Sequence, residues 1–316
     1  MTKFVKYYPQ VYNRKEFVEN LRKIKQSGFD GVFLSATRSW EEIKQRRLKS
    51  EFYQISRMID IVREFGLQVG VILDCFHSPK LWTHENFSAP IGVSGVNFLP
   101  QSWYYPVCPS NPLAYERYYK MLEKMYSIST PDFFVLDFLR FPFFWETMEL
   151  DVQHRIPPYC YCPFCMGEFS SEVGEIVSSL SQIDELMPEW LEWRNQVIYD
   201  FFRDAKDLLE NDSSIIVSLP PLSLIDLPFT TGQLPMAYSD AGSYVSPLLY
   251  HSQKKKDMLW IEDILDQYVF DIGRKKVAPS FEITNIGEFE EFSKITNFQN
   301  IFLFNWTNIE KVIRKT

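Results

Sequence analysis

Phosphate-cradling glycine motifs are missing from this sequence. Neither G-x-G-x-x-G nor a P-loop occurs, which removes the usual dinucleotide and nucleotide sites. G-x-S-x-G is also absent, and with it the nucleophile elbow of serine hydrolases. Histidine is scarce and scattered, 4 in 316 residues, so a His-rich catalytic metal site is not expected. No stretch approaches about 18 uncharged apolar residues, which predicts no membrane span. MTKFVKYYPQ at the N-terminus lacks an apolar core and a small-residue cleavage site, so no signal peptide and a cytoplasmic location are expected. Excess positive charge is lacking too. The net charge is −8 and the one basic run, Lys254 to Lys256, is short enough to read as a solvated loop, so no nucleic-acid partner is predicted. Five cysteines, three of them within six positions, do not make a disulfide framework; they read as thiols kept reduced.

Apolar and aromatic residues are what the chain has in quantity, at 46% and 16% of the sequence. Short apolar runs at Lys3–Tyr8, Phe29–Ser35, Leu67–Leu73, Phe133–Leu136, Ser214–Leu219, Ser243–Tyr250, Lys276–Ile283 and Ile301–Phe304 predict eight strands. Helical periodicity lies between most of them. It is marked from Asn13, over Glu51–Phe65, from Asn111-Pro112 to Tyr126, over Pro188–Leu209 and Met258–Phe270, and from Asn308 to Arg314. Eight strands alternating with helices over about 300 residues predict an α/β chain folded as a single (β/α)₈ TIM barrel. Nothing divides the chain, so residues 1–316 are expected to form one domain. Long loops are predicted after strands three and four, the latter an insertion over 139–187.

The stretch from Pro131 to Cys165 concentrates the chemistry. PDFFVLDFLRFP is a near-continuous apolar run that delivers Asp137 and then Arg140, as a buried parallel strand opening into a site would. A barrel places function at the C-terminal ends of its strands. Those ends offer Arg38, Asp74 with His77, Asp137 with Arg140, Tyr250 and Glu282, with Trp306 after the last. Two carboxylates among aromatic residues suit glycosidic-bond hydrolysis, one protonating the leaving oxygen and the other attacking the sugar or activating water. Asp137 and Glu282 are the expected pair, since each follows an apolar run. Structural roles stand beside these: Asp137 in an ion pair with Arg140 or Arg38, Asp74 accepting from loop amides, Tyr250 as a core tyrosine.

PPYCYCPFC brings Cys160, Cys162 and Cys165 together, close enough to bind one soft ion. Structural zinc takes four ligands, and Cys108, in the preceding long loop, is the expected fourth. Four thiolates leave no open position, so the predicted zinc is structural. Cys75, ending an apolar strand, is expected to be a small buried hydrophobe.

Cys108 in VCPSNP followed by that C-x-C-x-x-C resembles the zinc cluster of glycoside hydrolase family 42, the β-galactosidase-type barrels. LDFLRFP with CYCPFC is also similar to barrel proteins described as glycosyl-hydrolase-like. The resemblance implies a retaining glycosidase in which Arg38 supports the nucleophile, Tyr250 touches it, Glu282 is the nucleophile and Trp306 a sugar platform. One departure is plain. The family's strand-four acid is a Glu preceded by Asn, whereas this chain has Leu136-Asp137, so either Asp137 or Glu146, further along the loop, is the acid/base. The implied substrate is a glycan or oligosaccharide. A barrel that binds sugar without chemistry, a barrel enzyme of another class, and a homo-oligomer all stay open.

Overall fold

The structure, a computed structural model, describes residues 2–8, 13–36, 48–101, 103–127, 130–147, 157–209, 213–294 and 298–313. The chain alternates strands and helices from the start. β1 (Thr2–Tyr7), α1 (Arg14–Gln26), β2 (Gly31–Ser35), α2 (Leu48–Glu64) and β3 (Gln68–Asp74) lead into α3 (Pro112–Tyr126) and β4 (Phe133–Asp137). After β4 come α4 (Pro163–Val173), α5 (Leu180–Glu185) and α6 (Met187–Leu209), then β5 (Ser214–Leu219). Two short helices, α7 (Asp226–Thr231) and α8 (Pro235–Asp240), precede β6 (Tyr244–Leu249) and α9 (Met258–Ile272). β7 (Ser280–Glu282), α10 (Ile286–Lys294), β8 (Asn300–Phe304) and α11 (Trp306–Ile313) finish the chain. Every strand pairs in parallel with its sequence neighbour, and β8 closes on β1, as a (β/α)₈ barrel requires.

Local chemistry sets the element ends. Asn13 caps α1 by accepting from the Lys15 and Glu16 amides, and Phe17, Leu21 and Ile24 turn its apolar stripe inward. Asn111 caps α3 in the same way, with Pro112 at the first turn. β7 is shorter than its apolar run predicts. Pro279 has no amide to donate, so only a single bridge, Val277 to Val245, precedes the three-residue strand. The segment expected as a loop over 139–187 carries α4 and α5. α4 opens on Pro163 and stops at Gly174 in the left-handed region, while α5 is nucleated by a Ser179–Gln182 capping box.

Inward-facing residues fill the barrel in layers. Phe4, Phe33, Phe133, Phe302 and Ile216 form an apolar floor, closed off from the larger core between strands and helices. Above it Lys6, Ser218, Ser246 and Ser280, all buried, make a polar layer. The ends of β3 and β4 then present Asp74 and Asp137 side by side, paired in register on adjacent strands.

Candidate active site and cysteine centre

A cavity of ≈ 540 Å³ opens at the C-terminal end of the barrel. Three carboxylates line it, Asp74, Asp137 and Glu146, together with Arg140 and His77. Its walls are aromatic, with Tyr8, Trp103, Tyr105, Trp145, Tyr250 and Phe304 contributing. Such a mix of apolar walls and few convergent polar groups suits a small polar ligand with hydrophobic faces.

Asp137 ends β4, and its Oδ1 accepts from the Phe138 amide at 2.9 Å. Phe138 takes a φ of 53°, the left-handed region that a bulky side chain rarely adopts. That turn lays its ring 4.8 Å from His77, near parallel, and 4.8 Å from the Arg140 guanidinium. His77 is fixed in turn by a 2.8 Å hydrogen bond between Nε2 and the Trp103 carbonyl. Arg117, on α3, donates to the Asp74 and Cys75 carbonyls, both at 3.0 Å, and so anchors the backbone at the end of β3.

Glu146 is the third acid of the cavity. Burial pushes its carboxyl up to about 7, against the opposing pull of Arg140 and with a further push from Asp137. Its Oε2 is buried and has no hydrogen-bond partner among the described residues. The neighbouring Trp145 carbonyl accepts from Lys254 at 2.6 Å. One lysine of the run expected to be solvated therefore braces this loop.

Tyr250 stands at the cavity floor. Its hydroxyl accepts from Lys6 Nζ at 3.1 Å and lies 3.2 Å from Ser280 Oγ, while its ring stacks on Phe304 at 4.6 Å. Burial holds that hydroxyl well above its ordinary pKa.

Glu282 is 7% exposed at the end of β7 but does not line the cavity. Ser252 Oγ donates to it at 2.5 Å and Gln253 Nε2 at 3.4 Å, and it is Gln253 that reaches the cavity wall. Glu282 instead borders a separate hollow with Asn285, Asn308 and Lys311. Trp306 is likewise away from the cavity. It starts α11, is 2% exposed, donates to Asn20 at 3.3 Å and packs edge-on against Phe29. Phe304, two residues earlier and on the inward face of β8, is the cavity aromatic there. Arg38 lies outside the described residues.

Cys108, Cys160, Cys162 and Cys165 do converge. All four are buried, with their sulfurs within 4.8 Å of one another. Cys108 and Cys165 are 3.2 Å apart, and Cys162 is 3.7 Å from each. Tetrahedral binding at a metal–sulfur distance of about 2.3 Å needs sulfurs roughly 3.8 Å apart, so the set fits one ion. The Ile91 amide points at Cys160 Sγ from 3.4 Å, a donor suited to a thiolate. Cys75 is apart from them, fully buried, as its place at the end of an apolar strand predicts.

No family model matches the chain, and no curated protein does either. Solved structures do. The glycoside hydrolase domain of PgaB (BpsB) from Bordetella bronchiseptica superposes with a TM-score of 0.70 at 10% identity, over 96% of this chain and 93% of that one. The chain has the fold of glycoside hydrolase barrels. A β-galactosidase from the psychrophilic Marinomonas ef1 gives 0.69 at 14% identity, over 97% of this chain but 54% of its own length. The catalytic domain of a Paenibacillus polymyxa β-amylase gives 0.61 at 13%, over 97% and 92%. No described helix is long and apolar enough to cross a membrane.

Several cavity residues were not singled out from sequence. Tyr8 lines the cavity because it continues the inward alternation of Phe4 and Lys6, which a Lys in an aromatic strand disguises. Trp103 and Trp145 stand in separate loops, and nothing in their spacing shows that they wall one cavity.

Proposed function

We propose that this chain is a glycoside hydrolase acting on a glycan or oligosaccharide, with Glu146 as the general acid and Asp137 as the second carboxylate. The observation that carries the reading is Glu146 itself, half-buried with its Oε2 buried and unpaired among the described residues, in an aromatic-walled cavity and with a pKa raised to about 7. Such a group is protonated near neutral pH and can donate to a glycosidic oxygen. Asp137, on the rigid end of β4, faces the positive charge that develops on the sugar ring, either attacking the anomeric carbon or activating water. Arg140 opposes the upward push of burial on Glu146 and so limits how far its pKa rises. Tyr250, Trp103 and Phe304 offer ring faces to the sugar, and Asp74 and His77 hydrogen-bond its hydroxyls.

The four cysteines are proposed to hold zinc, the ion that an all-thiolate tetrahedral set favours. It supplies a cross-link between loops and no reaction step.

A panel of aryl-glycosides and oligosaccharides tests the assignment. Wild-type protein should turn over at least one member, with Glu146→Gln and Asp137→Asn each lowering kcat/KM by about 100-fold or more. Glu282→Gln should cost much less. A large loss with Glu282→Gln and none with Asp137→Asn would move the second carboxylate to β7 and sink the Asp137 role. Leu136-Asp137, in place of the Asn-Glu of the family the chain resembles, favours one rival, a barrel that binds sugar without cleaving it. Tight oligosaccharide binding with no turnover by wild type would select that rival.

A further inference from the structure

The cysteine centre presents a charge problem. One divalent ion and four thiolates sum to two negative charges, and the four cysteines are at most 1% exposed. Their surroundings are aromatic: Tyr161 stacks on Trp190 at 5.5 Å, and Phe169 meets the same indole at 4.9 Å. Buried net charge is costly unless an opposite charge lies within reach. Backbone donors such as the Ile91 amide soften that cost without supplying a charge.

Arg194 has the complementary problem. It lies one turn along α6 from Trp190 and is 0% exposed. Its guanidinium carbon sits 4.1 Å from the centre of the Phe141 ring, and its Nη2 donates to the Thr230 carbonyl at 3.2 Å. Nε and Nη1 have no hydrogen-bond partner among the described residues. No described carboxylate forms an ion pair with it. Trp190, one turn away on the same helix, stacks on Tyr161, which lies between Cys160 and Cys162, so Arg194 borders the centre; Tyr161, Cys165, Cys160 and Cys108 favour the charge that burial opposes. A fully buried cation without a carboxylate and a buried dianion without a cation occupy the same patch of core.

We infer that Arg194 is the counter-charge of the metal–tetrathiolate centre, a positioning residue that sets how tightly the ion is held. The inference rests on the four thiols binding zinc. It extends that reading to the barrel, because the cation that balances the centre is also bonded to α7 and stacked on Phe141, one residue beyond Arg140. The competing role is packing alone, with Arg194 filling space against Phe141 whether or not a metal is bound.

The test uses full-length wild type, Arg194→Lys and Arg194→Met, loaded with Zn²⁺ and titrated against a chromophoric chelator. Each is also melted in the loaded and the chelator-stripped state. Arg194→Met should weaken zinc binding by about 10–100-fold, the range typical of supporting groups around a metal. Arg194→Lys, which keeps the charge but not the stacking fork, should stay within a few-fold of wild type. The thermal effect of Met should change sign: lower Tm than wild type when loaded, equal or higher when stripped, because the substitution then removes an unbalanced buried cation. The inference is overturned if Met binds zinc as wild type does, if Lys and Met weaken it equally, or if Met lowers Tm alike in both states. Should Met fail to fold with zinc present, Lys decides alone: near-native affinity supports the counter-charge, and a loss of tenfold or more rejects it. Wild type that takes up no zinc would instead reject the metal reading on which all of this stands.

Discussion

Glu146 sits where two demands on one carboxyl meet. Burial makes its ionised form expensive, and the positive charge of Arg140 keeps that expense from growing further. Folding therefore raises its pKa to about 7 from an ordinary 4.5. A carboxyl raised on folding binds more protons in the folded state, so its contribution is harmless at low pH and costs stability as pH climbs through the two values. Glu146→Gln cannot ionise. Its stability relative to wild type should thus rise between about pH 5 and about pH 8, by on the order of 3 kcal/mol in denaturant melts. An acid of this kind also gives kcat/KM a basic limb near neutrality. Arg140→Gln removes the charge that lowers Glu146 and should move that limb to higher pH. A profile unchanged in Arg140→Gln, with no pH-dependent gain in Glu146→Gln, would falsify the acid role. The sequence disclosed Asp137 because an apolar strand ends on it. Glu146 was visible only as an alternative, since nothing in a loop sequence reports burial. Glu282 and Trp306 illustrate the opposite limit. Strand ends can be counted, but which of their side chains reach the cavity depends on packing: Glu282 is held by Ser252 and Gln253, and Phe304 lines the cavity while Trp306 does not.

Among the elements, the two long loops after β3 and β4 behave as one piece. Gly92 bridges Tyr159, the Tyr161 amide donates to the Ile91 carbonyl at 2.9 Å, and the Val93 amide donates to Pro158 at 3.1 Å. This seam and the four thiols join the loop that carries Trp103 to the one that follows Glu146. A metal held by the four thiols would therefore fix one wall of the cavity. As purified, the protein should contain close to one zinc per chain by elemental analysis. Stripping it, or substituting Cys165→Ser, should speed amide exchange across 88–111 and 157–174 while the strands stay protected. Exchange unchanged in those loops would refute the cross-link. The cysteine spacing made this element legible from sequence, because six positions leave three thiols little room to part. The helices within it were not legible. α4 and α5 have 11 and 6 residues, and Pro163, Gly167 and Gly174 break any apolar period.

At the scale of the whole molecule, eight apolar runs with helical periods between most of them were enough to read a closed barrel. They were not enough to show how its interior is filled. Four phenylalanines meet on the axis, with Phe33 and Phe302 4.7 Å apart and Phe4 packed against Phe33, Phe133 and Phe302 at 5.0, 5.3 and 5.7 Å. Two of these rings fit because the residue paired with each on one neighbouring strand is a glycine, Gly31 beside Phe4 and Gly70 beside Phe33. A Cβ on Gly70 would lie 2.0 Å from the Phe33 ring, and one on Gly31 would lie 2.4 Å from Phe4. Glycine here supplies volume, not backbone freedom, since neither residue has a positive φ. The surrounding rings leave Phe33 nowhere to move, so Gly70→Ala should destabilise the protein by at least about 2 kcal/mol in denaturant melts. Pairing it with Phe33→Leu should recover part of that loss, because the smaller side chain frees the space the methyl needs. Additive losses in the double variant would mean that the floor yields elsewhere. This aromatic plug would then not be what closes the barrel beneath the polar layer of Lys6 and the serines, and so would not set the depth of the cavity.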